Sequence, residues 1–141
     1  MRVNRFVLDA NIWVSYFITH REQYLLDLVS ETEIMIFSCD EVFEELERVL
    51  NYAHLKKYNV DIKGVLKMVK GMTTYFKLTP PIKNYIPQDA NDNYVIALAL
   101  QTNSGYVTSG DKHILEAKAR LEKKYSKLHI VTKAEFEKMF A

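Results

Sequence analysis

The sequence predicts an α/β fold in which a parallel sheet is covered by helices on both faces. Three observations point there. Short apolar runs alternate with helical stretches along the whole chain. Those runs lack in–out alternation, as strands buried on both sides do. Two of them also run into an aspartate: Phe6-Val7-Leu8-Asp9 near the start and Tyr106-Val107-Thr108-Ser109-Gly110-Asp111 late in the chain. A buried strand ends in a carboxylate when that group faces a crevice or caps the next helix.

The elements follow in order. Val3 to Leu8 is the first strand. Asn11 to Thr19 is a helix with Ile12, Val14, Tyr16, Phe17 and Ile18 inside or half inside. Glu22 to Ser30 is a second helix, its apolar side set by Leu25, Leu26, Leu28 and Val29. Glu33 to Ser38 is a short strand. Asp40 to Leu50 is a helix with one apolar stripe, Val42, Phe43, Leu46, Val49 and Leu50. At about 100° per residue, Glu44 and Arg48 fall opposite that stripe, and Glu45 and Glu47 fall on its borders. A border glutamate can reach along the core edge toward a sheet end, whereas Glu44 cannot. Tyr52 to Tyr58 is a short basic link.

Asp61 to Tyr75 reads as an amphipathic helix that buries Ile62, Val65, Leu66, Val69 and Met72 and leaves Lys63, Lys67 and Lys70 outside. Phe76 to Thr79 reads as a strand. Pro80-Pro81 then forbids helix, so Ile82 to Gln88 is a loop. Asp89 to Thr102 is a helix whose middle, Val95 to Leu100, is nearly all apolar and therefore deeply buried. Tyr106 to Ser109 is a strand, Lys112 to Lys124 a helix, Leu128 to Thr132 the last strand and Lys133 to Phe140 the last helix.

A chain of 141 residues, 48% apolar and 26% charged, is expected to be one domain, residues 1–141, with a substantial core. A net charge of +1 excludes a global basic field, so any nucleic-acid binding must use local patches. Cys39 is the only cysteine, which excludes an internal disulfide. The first apolar run is broken by Asp9 and Asn11, and no stretch approaches the ~18 apolar residues of a membrane span. The expected setting is the reducing cytoplasm.

If the first strand is central and the chain returns to its other side, a switch point lies beside it, and ligands of open α/β sheets bind there. Asp9, Glu45, Asp92 and Asp111 are the acids that can meet at such a point. Gathered carboxylates repel one another, and the cluster persists if a divalent cation compensates it or if some members stay protonated. Oxygen-only ligands suit Mg²⁺ or Mn²⁺ better than zinc. Waters on such a cation can serve phosphodiester hydrolysis. Each acid also has an ordinary alternative. Asp9 can cap the next helix, Glu45 can be a solvated helix residue, and Asp111 can be a turn residue. Asp89 reads as an N-cap, and for Asp92 capping and catalysis are compatible. Gly-rich phosphate loops, a Gly-x-Ser-x-Gly elbow and metal-spaced histidines do not occur.

In this order and spacing, four stretches resemble the PIN-domain family: Val7-Leu8-Asp9-Ala10-Asn11, Phe43-Glu44-Glu45-Leu46, Asp89-Ala90-Asn91-Asp92-Asn93 with Ala97-Leu98-Ala99, and Val107-Thr108-Ser109-Gly110-Asp111-Lys112. The Gly-Asp-Lys ending is similar to the subgroup described as toxins of toxin–antitoxin pairs. The resemblance implies a three-layer α/β/α sandwich with sheet order 3-2-1-4-5 and a metal-dependent endoribonuclease. It implies that Asp9, Glu45, Asp92 and Asp111 form the acidic quartet, with Asn11 and Ser109 supporting the acids or the attacking water. It further implies an RNA substrate, a cognate antitoxin and a homodimer. His113 departs from the pattern, standing where related chains often carry another Asp. Lys112 is the lysine nearest in sequence to steer RNA phosphates, and Lys118, Arg120, Lys123, Lys124 and Lys127 form a second basic run. Trp13 reads as core or dimer packing with base stacking as the alternative. Two rival functions come from other classes: a catalytically silent PIN-like module that binds RNA or protein, and a phospho-acceptor signalling domain.

Overall fold

A computed structural model describes residues 4–141. Val3, which the sequence assigns to the first strand, lies outside them. The five strands are β1 (Asn4–Leu8), β2 (Ile34–Ser38), β3 (Thr73–Tyr75), β4 (Tyr106–Thr108) and β5 (His129–Val131). They form one parallel sheet in the order β3-β2-β1-β4-β5. The helices are α1 (Ala10–Ile18), α2 (Glu22–Glu31), α3 (Asp40–Leu50), α4 (Ile62–Met72), α5 (Asn93–Gln101), α6 (Lys112–Lys124) and α7 (Lys133–Lys138). Two 3₁₀ segments, Ala53–Tyr58 and Ala90–Asp92, lead into the loop before α4 and into α5.

Phe6, Val7 and Leu8 are all completely buried. Successive strand residues point to opposite faces, so burial of all three requires a layer on each side of the sheet. Right-handed crossovers supply those layers, because a chain moving leftward from β1 and one moving rightward must lay their helices on opposite faces. Phe6 stacks on Tyr106 and meets Phe136 of α7 edge-on, with centroids 4.8 and 5.2 Å apart. Trp13 is completely buried in the core, which removes base stacking from its roles. Among the described residues, no helix is long and apolar enough to cross a membrane.

One stretch differs from its expected form. The helix predicted over Asp61 to Tyr75 stops at Met72, and the edge strand is Thr73–Tyr75, not Phe76 to Thr79. The apolar stripe alone cannot mark this stop. The Thr73 hydroxyl donates to the Val69 carbonyl at 2.8 Å and lies 2.8 Å from the Ser38 hydroxyl, while the backbone pairs with β2. The open edge of β2 thus captures β-branched Thr73 and Thr74, and tertiary pairing overrides the helical pattern. Phe76 adds one backbone bond to Ser38 at 2.8 Å and leaves the sheet. The helix predicted from Asp89 also begins later, at Asn93, after the short 3₁₀ turn.

Candidate functional site

The strand order reverses at β1, between β2 and β4, and the carboxyl ends of β1 and β4 open on a crevice. Asp9 follows β1 directly and is buried. Its backbone N–H donates to the Thr108 carbonyl at 3.0 Å, which fixes it against the end of β4. Ser109, also buried, donates its hydroxyl to Asp9 Oδ2 at 2.8 Å and accepts the Asp111 N–H at 3.0 Å. One side chain therefore ties both strand-end acids together. Asp111 is the N-cap of α6, and its Oδ1 accepts the N–H groups of His113 and Ile114 at 2.9 and 3.2 Å. Capping and crevice position coexist here. Gly110 has no left-handed backbone, and a Cβ on it would meet no atom within 4 Å.

Asp92 enters from the start of α5. Asn93 sets its place: Asn93 Oδ1 accepts the Ile86 N–H at 2.7 Å, and its Nδ2 donates to Asn84 Oδ1 at 3.0 Å. That clamp holds the loop before the 3₁₀ turn against α5. One oxygen each of Asp89, Asp92 and Asp111 lies within 4.8 Å of the others. Asp89 caps the turn, accepting the Asn91 N–H at 3.2 Å, and belongs to the cluster as well. Its sequence assignment as a cap accounts for only half of its position.

The electrostatics follow from this crowding. Burial, then the negative charges of Asp111, Asp9 and Asp89, push the Asp92 carboxyl up to about 8. Burial also raises Asp9; the Ser109 hydroxyl and the N–H groups of Asn11 and Ala10 pull it down, Asp111 pushes it up, and the net shift is upward. Asp92 Oδ2 is buried and has no hydrogen-bond partner among the described residues. An orphaned buried carboxylate oxygen is costly unless a cation or proton completes it. The all-oxygen donor set fits a hard divalent cation.

The other expected site residues are placed differently. Glu45 lies half-buried on α3, facing the crevice across a groove of ≈ 370 Å³ lined by Glu41, Glu44, Arg48, Asn91 and Tyr94. Its carboxylate is held by Arg48 at 2.6 Å, and it stands outside the tight aspartate cluster. Glu44 is exposed, as the helical phase requires. The Asn11 side chain is exposed and makes no hydrogen bond among the described residues. Lys112 points outward, 3.9 Å from Glu116. Tyr94 is a residue that sequence reasoning passed over. Its phenol is raised by burial and then by Asp9, Glu45, Cys39 and Asp92, so it remains a protonated donor inside the crevice. Its position in the first turn of α5, two residues after Asp92, was the available signal.

A PIN domain family model matches residues 5–113. The chain belongs to the PIN-domain family. No curated protein matches its sequence. In fold, this PIN domain is similar to a chain of VapBC2 from Rickettsia felis bound to a DNA fragment from their promoter, with a TM-score of 0.57 and 13% identity over 91% of this chain and 98% of that one. It is similar to a chain of VapBC-1 from nontypeable Haemophilus influenzae, with a TM-score of 0.56 and 12% identity over 91% of this chain and 97% of that one. The order 3-2-1-4-5 implied by the family resemblance is the order of this sheet.

Proposed function

We propose that this PIN domain is a Mg²⁺- or Mn²⁺-dependent endoribonuclease and the toxin of a toxin–antitoxin pair. The observation that carries the proposal is the convergence of Asp89, Asp92 and Asp111 within 4.8 Å beside buried Asp9, with one buried Asp92 oxygen lacking a hydrogen-bond partner among the described residues. Asp9, Asp92 and Asp111 would hold the metal, and Asp89 is positioned to join them. A bound divalent cation would polarise a phosphodiester and make water acidic enough to attack near neutral pH. Ser109 orients Asp9 and the Asp111 backbone. Glu45, once released by Arg48, would take a proton from the attacking water or join the metal; Asn11 at the rim would contact that water. Tyr94 offers a neutral O–H donor to a phosphoryl oxygen. Family membership and the fold shared with the VapBC complexes support a protein antitoxin as partner, and a homodimer is proposed with it.

The test is a thermal melt with chelator and with Mn²⁺, read beside an RNA cleavage assay. A cation that binds only the folded state adds roughly 2.7 kcal/mol at a hundredfold excess over Kd. Wild type should gain stability and cut RNA, and Asp92→Asn should lose both responses. Metal stabilisation without cleavage would point to the silent binding module. Identical melts with and without metal, in both proteins, would overturn the metal centre.

A further inference from the structure

We infer that the segment from the end of α3 through the 3₁₀ turn, Arg48 to Tyr58, is a docking strip for single-stranded RNA that leads into the crevice. The inference rests on the ribonuclease reading and adds where the flank of the substrate lies. The first observation is a change of sign along the chain. Asp40, Glu41, Glu44, Glu45 and Glu47 make the body of α3 acidic, whereas Arg48 to Val60 contains no acid at all. A polyanion approaching the crevice faces Asp9, Glu45, Asp89, Asp92 and Asp111. Arg48 is the lone cation among the described residues lining the groove at its mouth. The strand must therefore be held by cations beside the acids, and Arg48, where this strip begins, is one of them.

The second observation is the interleaving of bases and rings. The Arg48 guanidinium donates to the Tyr52 hydroxyl at 2.6 Å and lies 5.8 Å from its ring centroid. The Tyr52 ring stacks on His54 at 5.8 Å, and Lys57 Nζ lies 5.2 Å over the Tyr58 ring. Tyr52 and Tyr58 are exposed, two of the four large apolar side chains that are among the described residues. In the 3₁₀ segment Leu55 packs against the core while His54 and Tyr58 stay exposed, so core packing does not account for its aromatics. Alternating cations and open rings are what sequence-tolerant binding of single strands uses, with phosphates on the cations and bases on the π faces. At ~2 Å rise per residue, the six-residue turn offers about 12 Å of track. In the competing basic run, two of the five cations are engaged in structure: Lys118 holds Glu122 and the Ile130 carbonyl, and Arg120 donates to the Tyr85 carbonyl.

The test uses the full chain carrying Asp92→Asn in chelator, so that RNA binds uncut. A labelled single-stranded RNA of mixed sequence and its duplex form are titrated by fluorescence anisotropy. Tyr52→Ala/Tyr58→Ala should weaken single-strand binding about tenfold or more and duplex binding far less. Lys56→Ala/Lys57→Ala should flatten the dependence of log K on log salt by about 1.4, or ~0.7 for each phosphate contact. Thermal melts of both should match the parent. In the otherwise wild-type chain with Mn²⁺, the same pairs should raise KM and leave kcat within about twofold. If wild type cuts RNA and the strip variants bind and cut like it, the strip is refuted and the nuclease stands. Strip-dependent binding by a wild type that cuts nothing would leave the strip standing and remove the nuclease. No RNA binding by the Asp92→Asn chain, or strip variants that change only self-association, would refute the strip, the latter in favour of a protein interface.

Discussion

The two walls of the crevice are built by opposite means. On the sheet side, Asp9, Ser109 and Asp111 are fixed by backbone and by one another, and neither acid forms an ion pair among the described residues. On the α3 side, Glu45 is half-buried and carries its own counter-ion, Arg48, one turn away. The first wall stores repulsion in a rigid frame; the second is already neutralised. A cation therefore gains most from the sheet wall, where its charge relieves carboxylates already placed, and must compete with Arg48 for the α3 wall.

The comparison breaks most visibly at Asp92. Asp92→Asn should lower RNA cleavage by at least ~10²-fold, since it removes a cluster oxygen and leaves an amide that cannot match a cation's charge. The same substitution should alter the pH dependence of the metal-free fold. A carboxyl raised to about 8 in the fold and near 4 when unfolded stabilises the native state while it is protonated. That stability is fully present below the unfolded value and is lost as pH rises through the folded one. Asp9, raised as well, adds to the same slope. Melting temperature in chelator should thus fall between pH ~4 and ~8, Mn²⁺ should restore most of it, and Asp92→Asn should flatten the curve. A flat wild-type curve would show that the sheet wall stores no repulsion.

A smaller effect is expected from Ser109→Ala. Buried Asp9 would lose its donor and the Asp111 N–H its acceptor, for a cost of about 2 kcal/mol by chemical denaturation. Mn²⁺ affinity should fall along with stability, because both acids lose their alignment. Unchanged metal affinity would mean that the frame holds Asp9 without the hydroxyl. The smallest effects belong to α3. Glu45→Gln should reduce cleavage by about tenfold with an unchanged melt, while Glu44→Gln leaves cleavage and melt alike. Equal damage from the two would contradict the half-buried and exposed positions found for them. Arg48→Ala should leave the melt unchanged, because its pair with Glu45 lies at the surface.

Elements driven by their own pattern were legible in the sequence. The boundaries of α3 and α6 emerge as the apolar stripe and flanking residues place them. The aspartates ending β1 and preceding α6 were legible because a charge after a buried strand has few uses. What escaped depended on partners distant in sequence. The stop at Met72 is made by Ser38 and the free edge of β2, and the β-branched pair Thr73-Thr74 is too short a local signal to encode it alone. Asp89 looked complete as a cap because its local bond to Asn91 is real; its nearness to Asp111 arises only when β4 and α5 are brought together. The pairing of Glu45 with Arg48 follows an i,i+3 spacing that was visible, but only the folded crevice gives it a competitor.

Gly110 shows how a residue can be placed without the fold demanding it. Its backbone is one any amino acid adopts, and open space lies where a side chain would go. Chain entropy alone favours alanine there, since glycine loses more freedom on folding. Its two neighbours, Ser109 and Asp111, are joined by the bond that aligns the strand-end acids, and that bond uses no atom of Gly110. Alanine at this point should therefore be accepted by the fold and stabilise it by about 0.4–1 kcal/mol, a gain the natural chain leaves unused.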